Sequence, residues 1–274
     1  MTQRRFAKTT GIAATLGAII AVPFMGWAQN QETQPAIAAL EANLTDERAL
    51  FNATVDATVD DDLLELGQLV AMGGAENGGS GMACITCHGA NGTGDGSGAF
   101  PRLAGQAGWY TYKQLVDYAS GARPNQVMSG IAQRLTEREM EAVAAYYAAI
   151  DAPYRPIPGE ADVSLLQWGG QLGAVGSAEK GIPACVNCHG PSGMGNPPSV
   201  PYLAGQYANY MTYQLQLWRE GGRDNDAMNV MSAIASKMTD EDMRAVSEYY
   251  ARVRPVVDVV ETVPASIDTP EITE

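Results

Sequence analysis

The pattern Cys-x-x-Cys-His occurs twice, as Cys84-Ile85-Thr86-Cys87-His88 and Cys185-Val186-Asn187-Cys188-His189, and uses every cysteine and histidine in the chain. On a helical turn, positions i and i+3 share a face. Both thiols of each motif therefore meet one edge of a flat ligand, and the next residue turns its imidazole beneath it. This is the attachment pattern of c-type haem. A zinc ribbon sets its cysteine pairs about 15–20 residues apart, whereas these pairs are about a hundred apart. A thioredoxin-like site needs a βαβ context, and no alternating strand pattern stands out. A disulfide within each pair would leave the recurrent histidine unexplained. The motifs thus predict two covalently bound haem c groups, held by Cys84 and Cys87 and by Cys185 and Cys188.

The rest of the chain duplicates with the motifs. Leu103-Ala104-Gly105-Gln106 recurs as Leu203-Ala204-Gly205-Gln206, and Gln114-Leu115 as Gln214-Leu215. Met128-Ser129-Gly130-Ile131-Ala132 recurs as Met231-Ser232-Ala233-Ile234-Ala235, and Tyr146-Tyr147 as Tyr249-Tyr250. Two copies are too few for a solenoid, so they read as two like domains, 63–150 and 163–255. Between them, residues 151–162 include Pro153, Pro156 and Pro158, which make an extended, stiff linker.

Each unit reads as helical, giving an all-α fold of two tandem haem domains. Thr136 with Glu139 three residues on is a capping box. Met140, Val143, Ala144 and Tyr147 then form one apolar stripe. Thr239 and Asp242 repeat the cap, ahead of Met243, Val246 and Tyr250. Shorter helices are expected near Leu63–Ala71 and Leu165–Ala174, and middle helices near Tyr110–Tyr118 and Tyr210–Arg219. Between His88 and Pro101 the chain is rich in glycine and short polar residues and reads as loop.

The ends differ from the body. Arg4, Arg5 and Lys8 precede an apolar stretch from Gly11 to Ala28 that ends in small residues, the pattern of a secretory signal peptide over 1–28. Its competitor is an uncleaved membrane anchor, which would leave the protein peripherally attached. Either way the chain is exported, and the expected location is the periplasm. Residues 29–66 hold nine acids and one base, and residues 255–274 hold five acids and no base. Residues 67–254 hold 17 acids and 13 bases, so the formal charge of -14 resides mainly in an acidic extension (29–62) and an acidic tail (256–274). Nucleic acid is excluded as a partner. The acidic ends either aid solubility or steer a basic partner.

His88 and His189 are the proximal iron ligands this pattern predicts. With no third histidine, methionine is the natural candidate opposite them, because a thioether binds iron and raises its potential. Superposing Met-Ser-x-Ile-Ala selects Met128 and Met231. Met228 is a nearby rival whose counterpart is Asn125, whereas Met140 and Met243 lie in the helical stripes and read as core. Each imidazole needs an acceptor for its other nitrogen. The carbonyls of Pro101 and Pro201 are candidates, unless these prolines only turn the chain. Gln106, Gln206, Tyr110 and Tyr210 either pack on haem and its propionates or pack at helix starts.

Taken together, both Cys-x-x-Cys-His-Gly motifs, both Pro-x-Leu-Ala-Gly-Gln segments, both Met-Ser-x-Ile-Ala segments and both Tyr-Tyr helices resemble the cytochrome c4 family over about 63–254. That resemblance implies two class I cytochrome c domains packed about a pseudo-twofold axis, with propionates near the interface. It also implies ligation by His88 with Met128 and His189 with Met231. The implied function is electron carriage in the respiratory chain, from a quinol-oxidising complex of the cytochrome bc1 type to a terminal oxidase. The alternative is a dihaem cytochrome subunit of a periplasmic dehydrogenase complex. A haem enzyme would need an open iron, and every cysteine and histidine is already committed. The acidic extension and tail depart from the family pattern.

Overall fold

The structure is a computed structural model that describes residues 59–78, 83–157, 162–196 and 200–254. The expected signal peptide or anchor, the acidic extension up to residue 58 and the acidic tail lie outside the described residues. Among the described residues no helix is long and apolar enough to cross a membrane.

The first unit runs α1 (Asp61–Ala71), α2 (Cys84–His88), α3 (Gly108–Ser120), α4 (Met128–Ala132) and α5 (Glu137–Ala149). The second repeats it as α6 (Val163–Ala174), α7 (Val186–His189), α8 (Ala208–Glu220), α9 (Val230–Ala235) and α10 (Asp240–Arg252). Two isolated bridges, Ser177–Ile182 and Asn196–Val200, are the sole extended pairings among the described residues.

Local chemistry sets the helix ends. The Asp60 carboxylate accepts from the Leu63 N–H at 2.8 Å and starts α1, two residues before the apolar pattern suggested. Both expected capping boxes form, Thr136 with Glu139 and Thr239 with Asp242. Gly121 and Gly221 end the middle helices in the left-handed region, at φ 84° and 74°, where glycine carries no Cβ penalty. The short helices α4 and α9, each holding a candidate methionine, were not legible as helices in the sequence.

In each unit the first long helix crosses the last. A Cβ added at Gly67 would run into the Ala142 carbonyl oxygen, and one at Gly169 into the Ala245 carbonyl oxygen. Glycine at these equivalent positions lets the two backbones touch. Val70, Leu115, Met140, Val143 and Tyr147 fill the first core, and Leu172, Leu215, Met243, Val246 and Tyr250 the second.

The two units meet through paired polar contacts that exchange roles under a pseudo-twofold. Arg123 donates to Gln114 of its own unit at 2.9 Å and to Gln214 and Tyr210 of the other at 2.6 and 3.0 Å. Arg223 mirrors it, donating to Gln214 at 2.8 Å and across to Gln114 and Tyr110 at 3.1 and 3.2 Å. Tyr110 and Tyr210 thus bond across the interface, as do Gln106, through Tyr202, and Gln206, through Arg102, an arrangement that neither sequence-based reading of them contained. The linker is tied down by Arg102, which is buried and donates to the carbonyls of Ala104 and Pro153 at 3.0 Å and to that of Ala152. The guanidinium groups of Arg102 and Arg254 lie 4.3 and 4.7 Å from the ring centre of Tyr154.

Candidate haem sites

Each Cys-x-x-Cys-His segment coils as one short helix closed by a glycine at positive φ, 80° at Gly89 and 73° at Gly190. The turn carries His88 and His189 inward, where they are buried. His88 Nδ1 lies 2.9 Å from the Pro101 carbonyl, and His189 Nδ1 lies 2.9 Å from the Pro201 carbonyl. A carbonyl only accepts, so Nδ1 carries the proton and the lone pair is left on Nε2. Burial pushes both imidazoles below the usual histidine range, against the opposing pull of the proline carbonyls. The neutral, singly protonated ring is the form that binds a metal.

The residues present fit a covalently held haem. Burial pushes the Cys84 and Cys185 thiols up to about 11, with smaller opposing effects from their own backbone N–H groups. Both groups are therefore neutral at neutral pH, and a thioether in their place is uncharged too. Tyr147 and Tyr250, equivalent in the repeat, have buried hydroxyls with no hydrogen-bond partner among the described residues. Each packs in the cluster that holds the first cysteine of its motif. A buried hydroxyl left unpaired costs about 1–3 kcal/mol, so a polar group supplied at that place would remove the cost.

The methionines separate by environment. Met128 is half-buried and packs on the same core cluster as Cys84, Ile85 and Leu103. Met231 is likewise half-buried and packs on the same core cluster as Cys185 and Leu203. Met140 and Met243 are buried within their core stripes. Met228 is 90% exposed, on a 3-10 turn at φ 56°. That turn, Ala227–Asn229, has no counterpart in the first unit and absorbs the register change between the repeats. Asn125 accepts from the Met128 N–H at 2.8 Å, and Asp226 accepts from the Met231 N–H at 2.6 Å. The two loops thus hold Met128 and Met231 by like contacts despite their different lengths.

Comparison with known proteins follows the same division. The family described as Cytochrome c matches residues 79–149 and 180–253. The thiosulfate dehydrogenase electron acceptor of Stutzerimonas stutzeri (strain A1501) is 47% identical over 172 residues, 63% of this chain and 79% of that protein. The crystal structure of reduced recombinant cytochrome c4 from Pseudomonas stutzeri has a TM-score of 0.61 at 33% identity, covering 70% of this chain and 98% of that one. The thiosulfate dehydrogenase TsdBA of Marichromatium purpuratum has a TM-score of 0.63 at 36% identity, covering 75% of this chain and 43% of that longer one.

Proposed function

Because the chain belongs to the cytochrome c family, as a two-domain protein of the cytochrome c4 family, we propose that it is the periplasmic electron acceptor of a thiosulfate dehydrogenase. It binds two haem c groups covalently, one per unit, and is a dihaem electron carrier whose partners are redox proteins. When bound, each haem supplies an iron that takes up and releases one electron.

The protein's own residues would hold the haem and its iron as follows. Cys84 and Cys87, and Cys185 and Cys188, fix the macrocycle by thioethers. His88 and His189 present Nε2, each held by a proline carbonyl acting on the opposite nitrogen. Met128 and Met231 would offer a thioether sulfur to the iron. An iron so ligated would change oxidation state with little rearrangement and would offer no position to a substrate. The observation that carries the carrier reading is the pair of buried imidazoles, each locked at Nδ1 with Nε2 left as the metal-binding nitrogen.

The donor reading is supported by the 47% identity, across both units, to a thiosulfate dehydrogenase electron acceptor. A second reading, carriage from a quinol-oxidising complex to a terminal oxidase, is supported by the likeness to a free cytochrome c4. The signal-like N-terminus supports the periplasm. The test is to mix the purified ferric holoprotein with thiosulfate and a thiosulfate dehydrogenase and follow the ferrous α-band. Reduction of both haems, dependent on the dehydrogenase, is expected. Reduction by a quinol-oxidising complex but not by the dehydrogenase would overturn the donor assignment in favour of the second reading.

A further inference from the structure

The peptide group that orients each proximal histidine is held from its other side by the opposite unit. The Pro101–Arg102 peptide accepts from His88 through its carbonyl, and its N–H donates to Gln206 Oε1 at 3.0 Å. The Pro201–Tyr202 peptide accepts from His189, and its N–H donates to Gln106 Oε1 at 3.0 Å. Each glutamine closes a second bond on the same residue, Gln206 Nε2 to the Arg102 carbonyl at 2.9 Å and Gln106 Nε2 to the Tyr202 carbonyl at 3.1 Å. The amide oxygens are themselves pinned by the next backbone N–H, of Tyr207 and of Ala107, both at 3.0 Å. A backbone N–H needs an oxygen and a backbone carbonyl needs an N–H, so neither amide can be flipped without losing its bonds.

We infer that Gln106 and Gln206 are positioning residues that act in trans: Gln206 tunes the iron of the first unit, and Gln106 tunes the iron of the second. The inference rests on His88 and His189 being the iron ligands. Hydrogen bonds in a chain polarise one another. An acceptor on the Arg102 N–H draws density toward the Pro101 carbonyl oxygen, which strengthens the bond from His88 Nδ1. A proton drawn further from Nδ1 toward that oxygen makes Nε2 a better donor to the metal. An electron-richer ligand favours the ferric state and lowers the potential. The amide side chain of each unit thus bears on the redox level of the other, through three hydrogen-bonded groups and without any movement of the domains.

The test uses the full-length holoprotein, with each haem titrated electrochemically through its own NMR resonances. Those resonances are assigned by nuclear Overhauser contacts to Ile85 and Val186. Gln206→Leu is expected to raise the potential of the haem at Cys84 and Cys87 and to leave the other unchanged. Gln106→Leu is expected to raise the haem at Cys185 and Cys188 alone. Gln206→Glu, which retains an acceptor oxygen, is expected to keep the first haem at or below its native potential. Shifts in the same unit as the substitution, or equal shifts at both haems from a loosened interface, would overturn the inference. So would unchanged potentials in variants that keep the weak red-edge absorption band reporting iron–sulfur ligation, a result that leaves the ligand assignment standing. Loss of that band in the native protein would instead remove the ligation reading itself.

Discussion

Lys180 places its ammonium nitrogen 2.7 Å from Oδ2 of Asp242, at the first turn of α10. Asp242 is almost wholly buried and also accepts from Trp168 Nε1 at 2.8 Å and the Thr239 N–H at 2.8 Å. The equivalent acid of the first unit, Glu139, accepts instead from the backbone N–H groups of Glu76 and Thr136. The same capping position is therefore anchored by a cation in one unit and by a loop in the other.

Lys180→Met should destabilise the second unit by about 1–3 kcal/mol, because the buried Asp242 carboxylate loses a partner. Burial alone would raise the Asp242 pKa, but the bonds from Lys180, Thr239 and Trp168 hold it below the usual carboxylate range. A depressed folded pKa contributes stability above the unfolded value of about 3.9, and that stability is lost as pH falls through the folded value. Thermal melts of the native holoprotein should therefore weaken in acid below about pH 4, and the Met variant should lose part of that pH dependence. Identical acid profiles for the two proteins would refute the role assigned to the pair.

Gly67→Ala should force α1 away from α5, because the new methyl meets the Ala142 carbonyl. The expected cost is about 1–3 kcal/mol, read from chemical denaturation. Gly121→Ala provides a contrasting control, since no atom lies within 4 Å of a Cβ there and only the positive φ opposes it.

Met128→Ala and Met231→Ala should each remove about half of the weak red-edge band that reports iron–sulfur ligation, since the proposed ligation assigns one methionine to each of two irons. Met228→Ala should leave the band unchanged, because its side chain faces solvent. A ferric spectrum of the Met228 variant lacking half the band would transfer the ligand role to Met228.

Arg223→Met should uncouple the two units. The guanidinium is buried and donates to Gln214, Gln114, Tyr110 and Asn225, and hydrogen bonds to a charged group contribute about 1.5–3 kcal/mol. Calorimetry should then resolve two unfolding transitions in place of one. Arg223→Lys should not restore coupling, since an ammonium cannot span these acceptors as a planar fork does.

Two haem attachment motifs, the two capping boxes and the long helices were readable from residue order alone, because each depends on neighbours within one or two turns. The choice between Met128 and Met231 and the remaining methionines was proposed from the superposed repeats, and the packing sorts the same residues by exposure. What residue order could not show was which recurring residues serve their own unit and which serve the other. Gln106 and Gln206 recur just as Pro101 and Pro201 do, since a duplicated chain repeats its interface along with its site. A glutamine satisfies a peptide N–H equally well from either side of a boundary. Only the docked arrangement of the two units, with burial forcing every backbone group to find a partner, decides that these side chains cross it.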